Sequence, residues 1–372
     1  MSADFCDLAV EGVRALQPYQ PGKPVEELQR ELGLSTVVKL ASNENPLGPS
    51  PLAIKALSGL ESELARYPDG NGFQLKQALS EILAVKPEQL TLGNGSNDVL
   101  EIIARTFVSA DQQIIYSQHA FAVYPIVTQA IGAQHGVVAA KDWGHDLDAM
   151  LAAITDNTRL IFIANPNNPT GTWLDESTLR GFLDRCPSHV LVVLDEAYFE
   201  YASDPVMNIS QYPNGITMLP HYENLIVTRT FSKAYGLAGL RVGYAVSNSK
   251  IADLLNRVRQ PFNVNSFALR AAAAALGDTD HMNKSVALNQ AGLQQMYKAF
   301  DDMGLDYIQS AGNFVSVDLG KPAAPVYQAL LRHGVIVRPV ANYAMPNHLR
   351  ITIGTEKENR FCLDALKKVL AA

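Results

Sequence analysis

The sequence has little cysteine and no long hydrophobic run. Its 372 residues include only three cysteines, Cys6, Cys186 and Cys362, which lie far apart. This pattern excludes a disulfide framework and a paired-cysteine metal site, so we predict no metal and a reducing, cytoplasmic location. No apolar segment approaches the roughly 18 residues that a membrane-spanning helix needs, so we expect no membrane partner.

Charge is also sparse, at 18% of residues, and the net charge is -7 without any basic block. The chain therefore lacks the electrostatic footprint of a nucleic-acid-binding protein, and we predict small-molecule substrates instead. The first twenty residues carry acidic side chains where a secretory signal would carry a basic start and an apolar stretch, so we expect no export. A low charged fraction also indicates much buried or subunit-covered surface.

Short aliphatic runs alternate with stretches of helical spacing through the middle of the chain. The runs LIFIA at 160–164 and VLVVL at 190–194 are uniformly apolar, as strands buried on both faces of a parallel sheet are. This alternation predicts an α/β fold with a mostly parallel central sheet flanked by helices. After about residue 250, longer helical stretches and short strands predict a smaller α+β unit.

We therefore expect three parts of the chain. Residues 1–40 are rich in proline and lack a core of their own, so we predict an arm that packs on the small domain and on a partner subunit. Residues 41–260 would form the large domain, and residues 261–372 the small C-terminal domain.

The turn at 93–98, Gly-Asn-Gly-Ser-Asn-Asp, lies between a predicted strand and a predicted helix. Ligands bind at the carboxyl ends of strands in open parallel sheets, and exposed N–H groups at a helix start can hold a phosphate. Glycine turns before helices are common, however. Asp98 also replaces the third glycine of the dinucleotide fingerprint, which argues against an NAD site.

Three further predicted strands end in polar residues. The segment NPNNPTG at 165–171 fixes its asparagines with two prolines, although a simple reverse turn is the alternative. Asp195 follows an all-apolar strand, where either a structural salt bridge or a ligand would compensate for its burial. Lys233 follows another strand, and either its amine reaches solvent or it is a buried nucleophile.

Together these residues suit an aldehyde-bearing pyridine phosphate. A lysine can form an imine with the aldehyde, and a carboxylate can hold the ring nitrogen. Asparagine and tyrosine can hold the ring hydroxyl, while serine, threonine and arginine can bind the phosphate. The combined pattern favours a cofactor site over the separate structural explanations.

The motifs NPNNPTG, DEAY and SKAYGLAGLR, in this order, resemble the fold-type I pyridoxal-phosphate aminotransferases. The resemblance covers essentially the whole chain and implies pyridoxal 5'-phosphate as cofactor, held by Lys233 as an internal Schiff base. Asp195 would pair with the ring nitrogen, and Tyr198 and Asn168 would hydrogen-bond the ring oxygen. Phe121 would stack on the ring, where many relatives carry tyrosine. The phosphate would be bound by Ser96, Asn97, Thr230, Ser232 and Arg241.

Members of this family also receive a tyrosine from the neighbouring subunit at the phosphate. In this sequence that residue would be Tyr67, in the segment RYPD at 66–69. The resemblance thus implies a homodimer with Tyr67 donated across the interface. An ordinary turn aromatic is the alternative.

Both ends of the chain are similar to the histidinol-phosphate aminotransferase subgroup. The segments that carry this similarity are PYQPGKP at 18–24, LASNENP at 40–46, GVIVRP at 334–339 and LRITIG at 349–354. The implied reaction transfers the amino group of L-histidinol phosphate to 2-oxoglutarate, giving imidazole acetol phosphate and glutamate in histidine biosynthesis. A guanidinium group matches both phosphate and carboxylate, so one anion pocket could serve both substrates. The implied substrate-binding residues are Tyr19, Asn43, Asn168, Arg338 and Arg350.

Other functions compete with this interpretation. Within the same fold, transamination of aromatic amino acids or decarboxylation of a phosphorylated amino acid would use the same cofactor site. From other classes, a dinucleotide-dependent oxidoreductase or a nucleotide-binding module could use the turn at 93–98. A structural or regulatory cofactor binder would keep Asp195 without doing chemistry, but an intact Lys233 disfavours it.

Overall fold

The computed structural model describes residues 5–18 and 22–371 of the chain. Within these ranges the strands are β1 (Val38–Lys39), β2 (Leu90–Gly93), β3 (Gln113–Ser117), β4 (Gln134–Val138), β5 (Thr158–Ala164), β6 (Leu191–Asp195), β7 (Leu225–Thr230), β8 (Gly243–Ser247), β9 (Tyr307–Ile308), β10 (Phe314–Asp318), β11 (Val335–Ile336), β12 (Arg338–Pro339) and β13 (His348–Thr352). The α-helices there are α1 (Phe5–Leu8), α2 (Glu11–Arg14), α3 (Val25–Leu32), α4 (Pro51–Leu57), α5 (Phe73–Leu83), α6 (Ser96–Phe107), α7 (Val123–Ala130), α8 (Leu147–Ala152), α9 (Glu176–Leu183), α10 (Phe199–Ala202), α11 (Gly215–Met218), α12 (Ser249–Val258), α13 (Ser266–Ala275), α14 (Thr279–Met303), α15 (Ala323–Arg332) and α16 (Glu356–Ala371). No helix in these described ranges is both long and apolar enough to span a bilayer.

A seven-stranded sheet in the order β2-β8-β7-β6-β5-β3-β4 lies at the centre of the fold. The strands from β7 to β4 pair in parallel, and β8 runs antiparallel to both β2 and β7. The prediction of an α/β fold with a mostly parallel sheet is therefore confirmed. Since β2 and β7 run in the same direction, the carboxyl ends of β2, β5, β6 and β7 lie at one edge of the sheet.

The central strands are apolar on both faces because helices cover both sides of the sheet. In β5, Leu160 and Phe162 pack with residues of α6 and α7. Their neighbours Ile161 and Ile163 pack with residues of α9 and α13 on the opposite side. Successive side chains of a strand point to opposite faces, so the uniformly apolar sequence runs reflect burial between two helical layers.

A four-stranded antiparallel sheet, β12-β13-β10-β9, packs with α14, α15 and α16 around a second core. The parallel pair β1–β11 joins the segment after α3 to this unit. Helix α13 follows the limit predicted at residue 260, yet it packs on α4 and α5 in the core of the large sheet. The core of the large sheet thus includes α13, and the second core includes α14. The domain limits at residues 40 and 260 stay a prediction.

A buried ion pair lies next to the carboxyl ends of β6 and β7. Arg229 donates to one carboxylate oxygen of Glu196 from Nε at 2.9 Å and from Nη2 at 2.7 Å, and both side chains are almost fully buried. The other Glu196 oxygen accepts from the Gly215 N–H at 2.8 Å. Since both oxygens are hydrogen-bonded and the guanidinium has an acidic partner, the pair joins two central strands without an uncompensated charge.

Replacing Glu196 by alanine is expected to lower the free energy of unfolding by about 3–5 kcal/mol, because the buried Arg229 guanidinium would lose its carboxylate partner. The matched control is Asp253→Ala, which breaks the exposed ion pair with Arg257 and should cost less than about 0.5 kcal/mol. The measurement is urea-induced unfolding followed by circular dichroism at one protein concentration. Equal losses for the two variants would contradict this account of the buried pair.

Candidate active site

One cavity opens at the edge of the sheet where β2, β5, β6 and β7 end. Strand ends at one edge of a parallel sheet converge, and the loops that follow them bring side chains from distant parts of the sequence together. The predicted site residues that line this cavity are Asn43, Ser96, Asn97, Phe121, Asn168, Asp195, Tyr198, Thr230, Ser232, Lys233, Arg241, Arg338 and Arg350.

One end of the cavity is built to accept a phosphate. Gly95 has a φ of 85° and directly precedes α6, whose first residues Ser96 and Asn97 face the cavity. The positive φ disfavours an L side chain at Gly95, and a Cβ there would lie 2.5 Å from Nη2 of Arg241 and push the guanidinium away. Arg241 also donates from Nη1 to the Ser232 hydroxyl at 3.3 Å. A positive helix end, a guanidinium and hydroxyl groups together favour a bound dianion.

At the end of β6, the buried carboxylate of Asp195 has a donor on each oxygen. The Thr228 hydroxyl donates to Oδ1 at 3.0 Å, and the Tyr124 hydroxyl donates to Oδ2 at 2.8 Å. Burial raises the pKa of Asp195, while these two donors and the nearby Lys233 amine oppose that rise. The buried carboxyl group is thus held in one orientation at the cavity wall, where an ionised form would suit a charged ring nitrogen.

Tyr198 lies against this acid and is held from the amino-terminal part of the chain. Asn43 donates from Nδ2 to the Tyr198 hydroxyl at 2.8 Å. The Oδ1 atom of Asn43 accepts from the Thr352 hydroxyl at 3.1 Å, so strand β13 fixes the amide. Burial raises the pKa of Tyr198 to about 12, which keeps the phenol protonated and able to donate toward the cavity.

Lys233 places its amine inside the cavity, where its Nζ donates to the Ser42 carbonyl at 3.2 Å. Burial lowers the pKa of Lys233 to about 7, and the positive charges of Arg350 and Arg241 act in the same direction. Glu44 and Asp195 oppose this shift. A lysine amine with this pKa is largely neutral just above pH 7, so it can act as a nucleophile and as a base.

Two arginines form the other end of the cavity. Arg338 and Arg350 lie opposite each other in the antiparallel pair β12–β13, so both face the same side of the small sheet. Arg350 is almost fully buried, donates from Nη1 to Oδ1 of Asn168, and donates from Nη2 to the Ala41 carbonyl at 2.7 Å. Two guanidinium groups on neighbouring strands are suited to a doubly charged anion.

One predicted site residue, Tyr67, stands apart from this cavity. Tyr67 is 82% exposed and stacks on Phe262, with ring centroids 4.8 Å apart, so a single chain does not place it at the phosphate end. Tyr19 lies outside the described residues. The remaining predicted residues share the cavity, and Phe121 presents its ring there beside Asn97.

Sequence analysis overlooked Tyr124, Thr228 and Thr352, which hold the lining residues in place. Thr352 had a usable signal, because it follows Arg350 by two positions in a strand and therefore lies on the same face. Thr228 had a similar signal as the residue paired with Asp195 across β6 and β7. Tyr124 had none, since nothing in the local pattern distinguishes it from an ordinary core aromatic in a helix.

The geometry fits pyridoxal 5'-phosphate. At the phosphate end, Gly95 lets the Arg241 guanidinium lie against the start of α6. A buried carboxylate lies in the same cavity as a lysine amine whose pKa is about 7. Phe121 offers an aromatic face, and Tyr198 offers a phenol that remains protonated. These are the groups that the cofactor's phosphate, ring nitrogen, aldehyde, ring face and ring hydroxyl require.

Comparisons with known proteins agree with this geometry. The family described as aminotransferase class I and II matches residues 35–366. Histidinol-phosphate aminotransferase 2 of Pseudomonas fluorescens is 62% identical, with all of both chains covered. Histidinol-phosphate aminotransferase 1 of Nitrosococcus oceani is 57% identical over 98% of each chain. The crystal structure of histidinol-phosphate aminotransferase from Sinorhizobium meliloti in complex with pyridoxal-5'-phosphate superimposes with a TM-score of 0.88 at 29% identity, covering 97% of each chain.

The family match spans nearly the whole chain, and the two curated relatives share more than half of its residues. The cofactor of this family is pyridoxal 5'-phosphate, as in the similar solved structure. The chain is an enzyme that belongs to the class I and II aminotransferases of fold-type I and, among them, to the histidinol-phosphate aminotransferases.

Proposed function

We propose that the protein transfers the amino group of L-histidinol phosphate to 2-oxoglutarate, giving imidazole acetol phosphate and L-glutamate in histidine biosynthesis. The observation that carries this proposal is that one cavity holds the Lys233 amine, the Asp195 carboxylate and the arginine pair Arg338 and Arg350. The names of the relatives support this choice of substrate. The cytoplasmic location expected from the sequence is part of the proposal.

Pyridoxal 5'-phosphate, when bound, supplies an aldehyde that condenses with primary amines and a ring that withdraws electrons. The residues at the start of α6, with Thr230, Ser232 and Arg241, would hold its phosphate. Asp195 would pair with the ring nitrogen and keep a proton there, while Phe121 would cover one ring face. The groups that would hydrogen-bond the ring oxygen are Tyr198 and Asn168.

Lys233 would bind the cofactor covalently and would then move the reacting proton. When not bonded to the cofactor, the Lys233 amine would be the base that takes the proton from the amine-bearing carbon of the substrate, and the resulting ammonium would be the acid that returns it. The low pKa of Lys233 favours this role, because a base works best when its pKa is near the working pH. Burial and the Arg350 charge, which lower this pKa, therefore serve the chemistry as well as the binding.

The arginine pair would select the substrate by its negative charge. Histidinol phosphate carries a phosphate ester where an amino acid carries its carboxylate, and Arg338 and Arg350 can bind either group. Asn43 and Asn168 line the same cavity and complete the proposed substrate contacts. The same pocket would then bind 2-oxoglutarate in the second half of the reaction.

We also propose a homodimer in which Tyr67 of one copy reaches the phosphate end of the other. Tyr67 and its stacking partner Phe262 are exposed, and the large side chains of Leu64 and Phe73 are exposed as well. Soluble monomers rarely leave so many large apolar side chains uncovered, so a second copy is a reasonable partner for this surface.

We expect histidinol phosphate to have the largest kcat/KM when it is assayed beside L-phenylalanine and L-threonine phosphate, with 2-oxoglutarate as acceptor. Arg338→Gln should lower kcat/KM for histidinol phosphate by about ten- to a hundredfold, because a charge-assisted hydrogen bond contributes about 1.5–3 kcal/mol. Arg257→Gln, at an exposed position, is the matched control and should change little. A larger kcat/KM for either of the other amines would overturn the choice of substrate.

The rate at which the apoenzyme takes up pyridoxal 5'-phosphate should rise with pH through about 7 and level off above it, because the neutral form of Lys233 reacts. Arg350→Gln removes a positive charge that disfavours the ammonium form, so the midpoint should move to higher pH. The measurement is the growth of yellow absorbance, with borohydride trapping as a check. Lys233→Ala should trap no cofactor, and a Lys233→Ala enzyme with unimpaired turnover would end the proposal.

Mixing Tyr67→Ala chains with Lys233→Ala chains should restore activity that neither homodimer has at limiting cofactor. If Tyr67 acts across the interface, each hybrid dimer contains one site with both substitutions and one intact site. Activity per hybrid should then approach half that of the unchanged dimer, measured after differently tagged chains are co-purified. If Tyr67 acts within its own chain, both hybrid sites are damaged and no activity returns.

A further inference from the structure

Tyr124 is a buried tyrosine that joins helix α7 to the acid at the end of β6. It is fully buried, and its hydroxyl donates to Oδ2 of Asp195 at 2.8 Å. Thr228 on β7 donates to the other oxygen at 3.0 Å. Donors from two different elements therefore fix the carboxylate from both sides, which sets the direction in which it faces the cavity.

The Tyr124 ring is itself rigidly placed. It stacks on Phe162 of β5, with centroids 4.4 Å apart and planes 6° apart. Its edge-on neighbour is Phe121, at 5.9 Å and 88°. The Tyr124 N–H also donates to the Phe121 carbonyl at 3.0 Å, at the start of α7. One residue thus contacts both the acid for the ring nitrogen and the aromatic ring that would cover the cofactor.

Burial disfavours the charge of the Asp195 carboxylate, while Tyr124, Thr228 and Lys233 favour it. Burial is the largest influence and raises the pKa of Asp195, while the Tyr124 hydrogen bond is the largest influence that opposes it. A buried carboxylate without donors takes up a proton instead of remaining charged. The titratable groups that face it are Tyr124, Tyr198, Lys233, Glu196 and Tyr212.

We propose that Tyr124 is a positioning residue whose hydrogen bond to Oδ2 favours the charged form of Asp195 and aims it at the cofactor's ring nitrogen, while its ring fixes Phe121 at the ring face. The inference rests on the proposed cofactor contacts of these two residues and deepens them. Tyr124 does not line the cavity itself, so it would act on the cofactor only through Asp195 and Phe121.

The test measures the protonation of Asp195 in the apoenzyme, so it needs neither cofactor nor substrate. The signal is the infrared carboxyl band that Asp195→Asn removes, followed as a function of pH. Tyr124→Phe should raise the pKa of Asp195 by about one unit or more, because a hydrogen bond to a charged group is lost. Tyr201→Phe is the matched control, since it removes a hydroxyl from an equally buried tyrosine that does not bond Asp195. It should leave the band in place.

A second variant guards against misfolding of Tyr124→Phe. A 3,5-difluorotyrosine at position 124 keeps the shape of the ring and is a stronger donor, so it should move the pKa of Asp195 in the opposite direction. In the cofactor-loaded protein, Tyr124→Phe should lose more affinity for pyridoxal 5'-phosphate, relative to the parent, one pH unit below the parent's Asp195 pKa found in the infrared titration than three units above it.

An Asp195 pKa that stays the same in both Tyr124 variants would overturn the proposal, and so would an affinity loss of equal size at both pH values. A failure of the proposed function has a different signature. In that case the parent protein binds no pyridoxal 5'-phosphate at Lys233, or prefers another amine, while the infrared result for Asp195 is unaffected.

Discussion

The site depends on one buried carboxyl group, that of Asp195 at the end of β6. Asp195 ends a strand whose other residues are all apolar, and the hydrogen bonds that Thr228 and Tyr124 donate to it offset part of the cost of burying its charge. The neighbouring Glu196 is compensated separately by Arg229, which leaves Asp195 for the cavity. Two adjacent acids thus have different partners, one serving the fold and the other serving the proposed chemistry.

The sequence predicted the sheet well where burial dictated the residue types. The apolar runs at 160–164 and 190–194, expected as buried strands, fall within or next to β5 (Thr158–Ala164) and β6 (Leu191–Asp195). Strand β4 was overlooked because it lies at the sheet edge and reads QHGVV, with most of its side chains exposed. Such a strand is held by backbone hydrogen bonds to β3, and these leave no hydrophobic pattern in the sequence.

The candidate site was predictable for residues at strand ends, because topology alone brings those positions together. Residues that act through another side chain were not, since a tyrosine such as Tyr124 has the same local pattern whether it bonds an acid or simply fills the core. Tyr67 illustrates a different limit. Its expected role requires a second copy of the chain, which neither the local pattern nor a single fold contains.

Strand β13 has an arrangement with consequences for how the protein can change over evolution. Arg350 lines the cavity and Thr352 bonds the lining residue Asn43, while Leu349 and Ile351, which alternate with them, belong to the core of the small unit. Because the polar and apolar positions alternate, inserting or deleting one residue here would move each set of side chains to the opposite face. The cationic and hydroxyl groups would then enter the hydrophobic core, and leucine would enter the anion pocket. Length variation in this strand is therefore forbidden, and natural diversification must proceed by substitution alone.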